Sequence, residues 1–247
     1  MASTNTVRKG LPSAVQDGND APNWGGRYGE QIVQVNTYPK TALAEEGCYF
    51  VATNPTPGTG LAATTSITNY VTTAGAVGVF FLLSNTETST TNTGKRVYMD
   101  YMRVRLISQA PTSATVWYIT IALDNSTIRY TSGGTAITPV NVNGDYSKAS
   151  VVTMYAGALT TAIPGNVRLI TNVLVRAQIP VVMDQYMLTF GSVEGGGADT
   201  TSASVQNRIF GAPPVVIAPQ WNMAVSMWGT SNAAAPQWEF DIGWWEK

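Results

Sequence analysis

Four carboxylates occupy places where a general acid or base would be useful: Asp100 beside Tyr98 and Tyr101, Asp184 opening DQYMLTF, and Glu239 and Asp241 within WEFDIGWW. Cleavage of a glycosidic bond uses two facing carboxyl groups, one of them with a raised pKa. The chain has fifteen acids, so some pair approaches by chance, and acids that alternate with apolar residues usually mark the solvated face of a strand. Other catalytic sets are missing. There is no histidine, which removes Ser-His-Asp and Cys-His mechanisms and histidine-bearing zinc sites. The single cysteine, Cys48, removes thiolate clusters and any intrachain disulfide, and its apolar flank suits a small buried residue. Gly94-Lys95 lacks the first glycine and the following hydroxyl of a phosphate-binding loop. Asp124-Asn125 and the NVNGD stretch from Asn141 to Asp145 offer oxygens without the spacing of a calcium loop, and read as turns capped by Asn and Asp. The residues predict no catalytic group, no metal site and no cofactor, and therefore a protein that is not an enzyme.

Binding chemistry is the next possibility. Seven tryptophans and eleven tyrosines could stack on sugar rings, but Trp117, Trp221, Trp238 and Trp244 fall at core-facing positions. Trp24, Trp228 and Trp245 look free, and with Tyr28 they are the candidate interface residues. The net charge is −1, and residues 1–29 hold only Arg8, Lys9 and Arg27 against Asp17 and Asp20. Replacing counterions on a nucleic-acid backbone takes several clustered cations, so direct contact with nucleic acid is not expected. The start has no apolar core of a signal peptide, and no run approaches the length needed to span a bilayer. A soluble protein made in a cytoplasm is the expectation, with no membrane partner. Charged residues make up 12% of the chain, about half the usual share in soluble domains. A surface so short of charge favours association with other copies.

The elements that must position these residues are strands. Arg96 to Asp124 reads as two long strands joined by a polar turn at Gln109 to Ser113. Met102, Val104 and Leu106 share one face of the first, Arg103 and Arg105 the other; Trp117, Ile119, Ile121 and Leu123 alternate along the second. A pair like this predicts a hairpin, which needs a sheet around it and a second layer over it. Further strands are expected at Glu30 to Tyr38, Gly47 to Thr53, Val77 to Leu83, Thr127 to Thr131, Ala136 to Val142, Ala149 to Tyr155, Asp184 to Phe190 and Trp221 to Trp228. Ser132-Gly133-Gly134 is a hairpin signal between two of them. Val167 to Gln178 has the length of a helix, but Thr171, Val173 and Val175 are β-branched and favour strand. In the last strand Trp238, Phe240, Ile242 and Trp244 line one face, with Glu239, Asp241 and Glu246 turned away. Residues 191–204 read as an exposed loop, and no convincing helix is present.

These patterns predict an all-β protein: an antiparallel, jelly-roll-like β-sandwich over residues 30–247, preceded by an extended arm at 1–29. The arm either lies across its own sandwich or, through Trp24 and Tyr28, reaches a neighbouring subunit.

Three stretches, MDYMRVRLISQAPTSATVWYITIALD, PVVMDQYMLTFG and WEFDIGWWEK, resemble virion proteins from the structural gene blocks of tailed bacteriophages. The resemblance covers roughly residues 96 to 247 and lies in overall texture. It implies a jelly-roll structural protein of the head-decoration (cement) type or an appendage subunit, located in the virion and without catalytic residues. Its partners would be other copies of itself, a trimer being favoured, and a major capsid or other virion protein. A carbohydrate-binding sandwich on a phage fibre is the alternative. A jelly-roll shell protein enclosing the genome is a third reading, disfavoured by the lack of a basic arm.

Overall fold

Alternation dictates the first layer of structure, because successive side chains in a strand point to opposite faces. The computed structural model describes residues 40–63, 79–88, 94–108, 116–127, 129–146, 148–162, 166–176, 179–192, 205–229 and 235–247. The arm at 1–29 and the strand expected at Glu30 to Tyr38 lie outside them. The described residues belong to one unit, Lys40–Lys247. In chain order its elements are α1 (Lys40–Glu45), β1 (Tyr49–Thr53), β2 (Leu61–Ala62), β3 (Val79–Asn85), β4 (Val97–Ser108), β5 (Trp117–Asp124), β6 (Tyr130–Ile137) and β7 (Val140–Asn141). They are followed by β8 (Val152–Thr161), β9 (Arg168–Arg176), β10 (Gln185–Phe190), β11 (Asn207–Ala212), β12 (Val216–Ile217), β13 (Asn222–Gly229) and β14 (Gln237–Glu246).

Two sheets pack face to face. The first runs β11-β10-β4-β14-β1-β7, with β12 on β4 and β2 on β14; the second runs β6-β8-β3-β13-β5-β9. The topology is carried by eight strands: β1, β3, β4, β5, β9, β10, β13 and β14. Numbered in that order, the first pairs with the eighth, the second with the seventh, the third with the sixth and the fourth with the fifth, all antiparallel. A long hairpin rolled into two layers produces this nesting, and it defines a jelly roll. The remaining strands extend the sheets sideways; β10 with β11 is a parallel pair.

Between the sheets lies one apolar core to which both contribute, with Trp117, Trp238, Trp244, Phe50 and Phe81 fully buried. Phe81 of the second sheet meets Phe240 of the first edge to face, at 4.6 Å between centroids. Such a contact contributes about 1 kcal/mol beyond the area it buries. The other face of the second sheet is covered as well: Leu82, Ala224, Ser226 and Trp228 are all buried.

Several sequence expectations are corrected. β4 and β5 do not form a hairpin; they belong to different sheets. Side by side, their apolar faces would both need a second layer, whereas facing one another they supply it. Ser132-Gly133-Gly134 is not a turn between two strands. β6 runs through it, with positive φ of 81° and 64° at the glycines and a register shift against β8. A helix is also present. α1 buries Leu43, and Gly47 (φ 65°) closes it: the Gly47 N–H donates to Ala44 O at 3.0 Å and the Cys48 N–H to Leu43 O at 2.9 Å, a Schellman motif. Cys48 itself is only half-buried.

Candidate functional site

A cleft lies on the outer face of the first sheet. Arg103 and Arg105 project from β4 and Asp241 and Glu239 from β14, at directly paired positions, Arg103 with Asp241 and Arg105 with Glu239. Opposed residues in a ladder stand close enough for side chains to meet. Arg103 donates from Nε to Asp241 Oδ2 at 2.7 Å, and Arg105 bridges to Glu239. With Thr53, Asn54, Gly58 and Gln185 they line a cleft of about 230 Å³. Burial pushes the Glu239 carboxyl up, but hydrogen bonds from Arg105 and the Gly58 N–H, with the charges of Arg105 and Arg103, outweigh it and hold the pKa below its ordinary value. A group held ionised in this way accepts hydrogen bonds well and is a poor general acid.

The other two acids are committed elsewhere. Asp100 is displaced from the ladder by a bulge, since Tyr101 pairs with Gly243 and Met99 with Trp244. It accepts from Tyr49 Oη at 2.6 Å and faces Lys40 Nζ at 2.8 Å. Burial first, then the hydrogen bond and charge of Asp100, raises the Tyr49 pKa. Asp184 is fully buried against Arg176. It also accepts from Val181 N at 2.8 Å, Tyr186 Oη at 3.0 Å and Gln206 N at 2.8 Å. That network ties the ends of β9, β10 and the approach to β11 together. Each of the four acids thus faces a cation; Glu239 and Asp241 share the cleft, and Asp100 and Asp184 do not line it.

Sequence reasoning missed Arg176 and the buried pair of Arg129 with Asp124, 3.1 Å apart. Alternation places Arg176 on the face opposite Val175. A register shift between Trp117 and Tyr118, opposite the end of β9, puts both residues inside. Asn141 and Asn143 do cap turns as expected: Asn141 Oδ1 accepts from Asn143 N and Asn143 Oδ1 from Asp145 N, each at 3.0 Å. Among the described residues no group of three or more acids or cysteines gathers as metal ligands would.

Of the candidate interface aromatics, Trp228 and Trp245 are described, and they lie on different sheets. Trp24 and Tyr28 lie outside the described residues. Trp228 is buried rather than free: it stacks on Tyr118 at 4.5 Å and donates from Nε1 to Thr120 Oγ1 at 2.9 Å. Trp245 is half-buried and lies flat on its ladder partner Tyr98, 5.7 Å away and 3° from parallel. Glu246, expected to point outward, is buried on the Trp244 side, where it accepts from Ser150 Oγ, Val151 N and Trp244 Nε1. Two positions on from Trp244, it shares that residue's face by the same alternation. Phe240 is the only aromatic residue lining the cleft among the described residues, and its side chain belongs to the core.

Seven of the exposed large apolar side chains fall instead at the lateral margins of the sandwich. On one margin, where β11 lies against β9, are Leu169 (52% exposed), Leu174, Met183 and Ile209 (50%). On the opposite margin, where Thr138-Pro139 links β6 to β7 across the two sheets, are Val140 (59%), Val142 and Tyr146. Comparison with protein-family models, with curated proteins and with solved structures finds no match to this chain.

Proposed function

We propose that this protein is a structural, non-enzymatic virion component, a head-decoration or cement-type protein, that works by assembling with its own copies on a phage particle. The carrying observation is the position of its exposed apolar side chains. They are concentrated along the two lateral margins of a jelly roll whose outer face on the first sheet is occupied by paired charges. Exposed apolar residues along strand edges mark association surfaces. The near-neutral net charge fits a place on the outside of a particle rather than against its genome. The phage-like texture of the strands supports the virion assignment. Bound side by side over a capsid lattice, many weak contacts would add to a strong array and stiffen the shell.

Light scattering of the full chain over a concentration series tests this reading. A closed oligomer, a trimer being favoured, is the expected result. A monomer at every concentration, retained on a glycan array, would overturn it in favour of a carbohydrate-binding sandwich.

A further inference from the structure

We infer that copies of this chain join side to side and head to tail, the β9/β11 margin of one copy meeting the β6/β7 margin of the next. The inference deepens the assembly reading and rests on it. Among the described strands, β9 and β11 end their sheets on one side and β6 and β7 on the other, each with a backbone edge that another strand could complete. The two margins differ in shape. β9 presents Leu169 and Leu174, whereas β6 is exposed from Thr131 to Ala136 and carries nothing larger than threonine, with no side chain at Gly133 and Gly134. Large side chains from β9 would therefore meet the low surface of β6, with Val140, Val142 and Tyr146 standing beside it.

They differ in charge as well. Arg168 is exposed at the start of β9, and no acid is exposed along β9, the described 179–192 segment or β11. The opposite margin has Glu45 and Asp145 exposed, held beside β7 by the Asn143 side chain, which donates to Glu45 O at 3.1 Å. Pairing like margins would join two surfaces that both carry exposed Arg168 and no exposed acid, or two that both carry exposed Glu45 and Asp145. Pairing unlike margins sets opposite charges together. An unlike contact repeats from copy to copy, giving a ring where the rotation closes and an open filament where it does not.

Two variants decide between these geometries. Leu169→Lys/Leu174→Lys blocks the first margin, and Val140→Lys/Val142→Lys blocks the second. All four side chains are exposed, so both proteins keep the wild-type melting temperature and near-ultraviolet circular dichroism. Each variant alone should stay monomeric where the wild type is oligomeric, association being weakened at least about tenfold by burying unpaired lysines. An equimolar mixture should give a one-to-one dimer on raising the concentration, and nothing larger, because one intact pair of margins remains. If the second variant dimerises alone, the contact joins like margins and the inference falls. If both variants assemble as the wild type does, the margins are not the interface, although the assembly reading survives. A wild type that is monomeric throughout removes the inferred contact, and one that is also retained on a glycan array removes the assembly reading with it.

Discussion

Asp184 is the residue whose surroundings are most completely specified. Its carboxylate accepts from Arg176, Val181 N, Tyr186 Oη and Gln206 N, with no solvent exposure on either side of the ion pair. Burying such a pair is not necessarily stabilising compared with apolar residues, but removing one partner strands the other charge. Asp184→Ala should therefore cost about 3–5 kcal/mol of stability, read as a fall in the urea midpoint. A midpoint equal to the wild type would contradict the network. Glu239 behaves differently because Arg105 is 41% exposed, so solvent screens the pair and its contribution stays under about 1 kcal/mol. The folded-state pKa lies below the ordinary 4.5. The carboxylate's contribution is thus fully present above that value and is lost as the pH falls through the folded-state pKa. Melting temperatures taken from about pH 6 to pH 3 should fall less steeply in Glu239→Gln than in the wild type. Parallel curves would show that the bridge carries no stability.

At the scale of elements, irregularities in the ladders decide which side chains enter the core. The bulge at Asp100 lets Met99 and Met102, three positions apart, both face inward. The Gly133-Gly134 kink in β6 follows the same logic. A Cβ on Gly134 would stand 2.6 Å from Ala156 O and 2.3 Å from Leu159 Cδ2, at a φ that side-chain-bearing residues seldom adopt. Gly134→Ala should destabilise the protein by roughly 1–3 kcal/mol, seen as a lower melting temperature. An unchanged melting temperature would mean that β6 does not follow this path. Elsewhere a missing side chain makes room: a Cβ on Gly243 of β14 would meet the Tyr101 ring at 2.5 Å and Tyr49 Oη at 2.7 Å. Without it, the two tyrosines could not close over the strand.

The whole molecule is shaped by nested long-range pairings. β14, last in the chain, lies between β1 and β4 in the first sheet, and its neighbour β13 lies between β3 and β5 in the second. The C-terminal strands are therefore central to both layers. What remains at the margins are short or irregular strands bearing exposed apolar residues, and few charges oppose contact between copies. Natural sheets usually protect such edges with lysine, proline or a covering element. β9 has Arg168 and Arg176 at its ends and no lysine or proline between them, and two register shifts against β5 interrupt it. That contrast is why the lateral margins, and not the charged cleft, carry the functional proposal.

Alternation alone located most of these strands and assigned the inward face of β14, since the period of two is a local property of extended backbone. It also identified the all-β class, because no long stretch repeats at helical spacing. The choice of ladder partner was not legible. Met102, Val104 and Leu106 of β4 need an apolar layer whether that layer comes from a sheet neighbour's side or from across the sandwich, and the residues are the same in both cases. Nor could spacing show that Trp228 and Arg176 are buried. Trp228 alternates with core residues and so points away from them, and its burial depends on cover over the second face of the sheet. Arg176 is turned inward by a bulge whose cause is the register of β5 against β9, a relation between segments far apart in the chain. Local backbone geometry specifies where strands run; the packing of two sheets specifies which of their faces, edges and charges remain for other molecules.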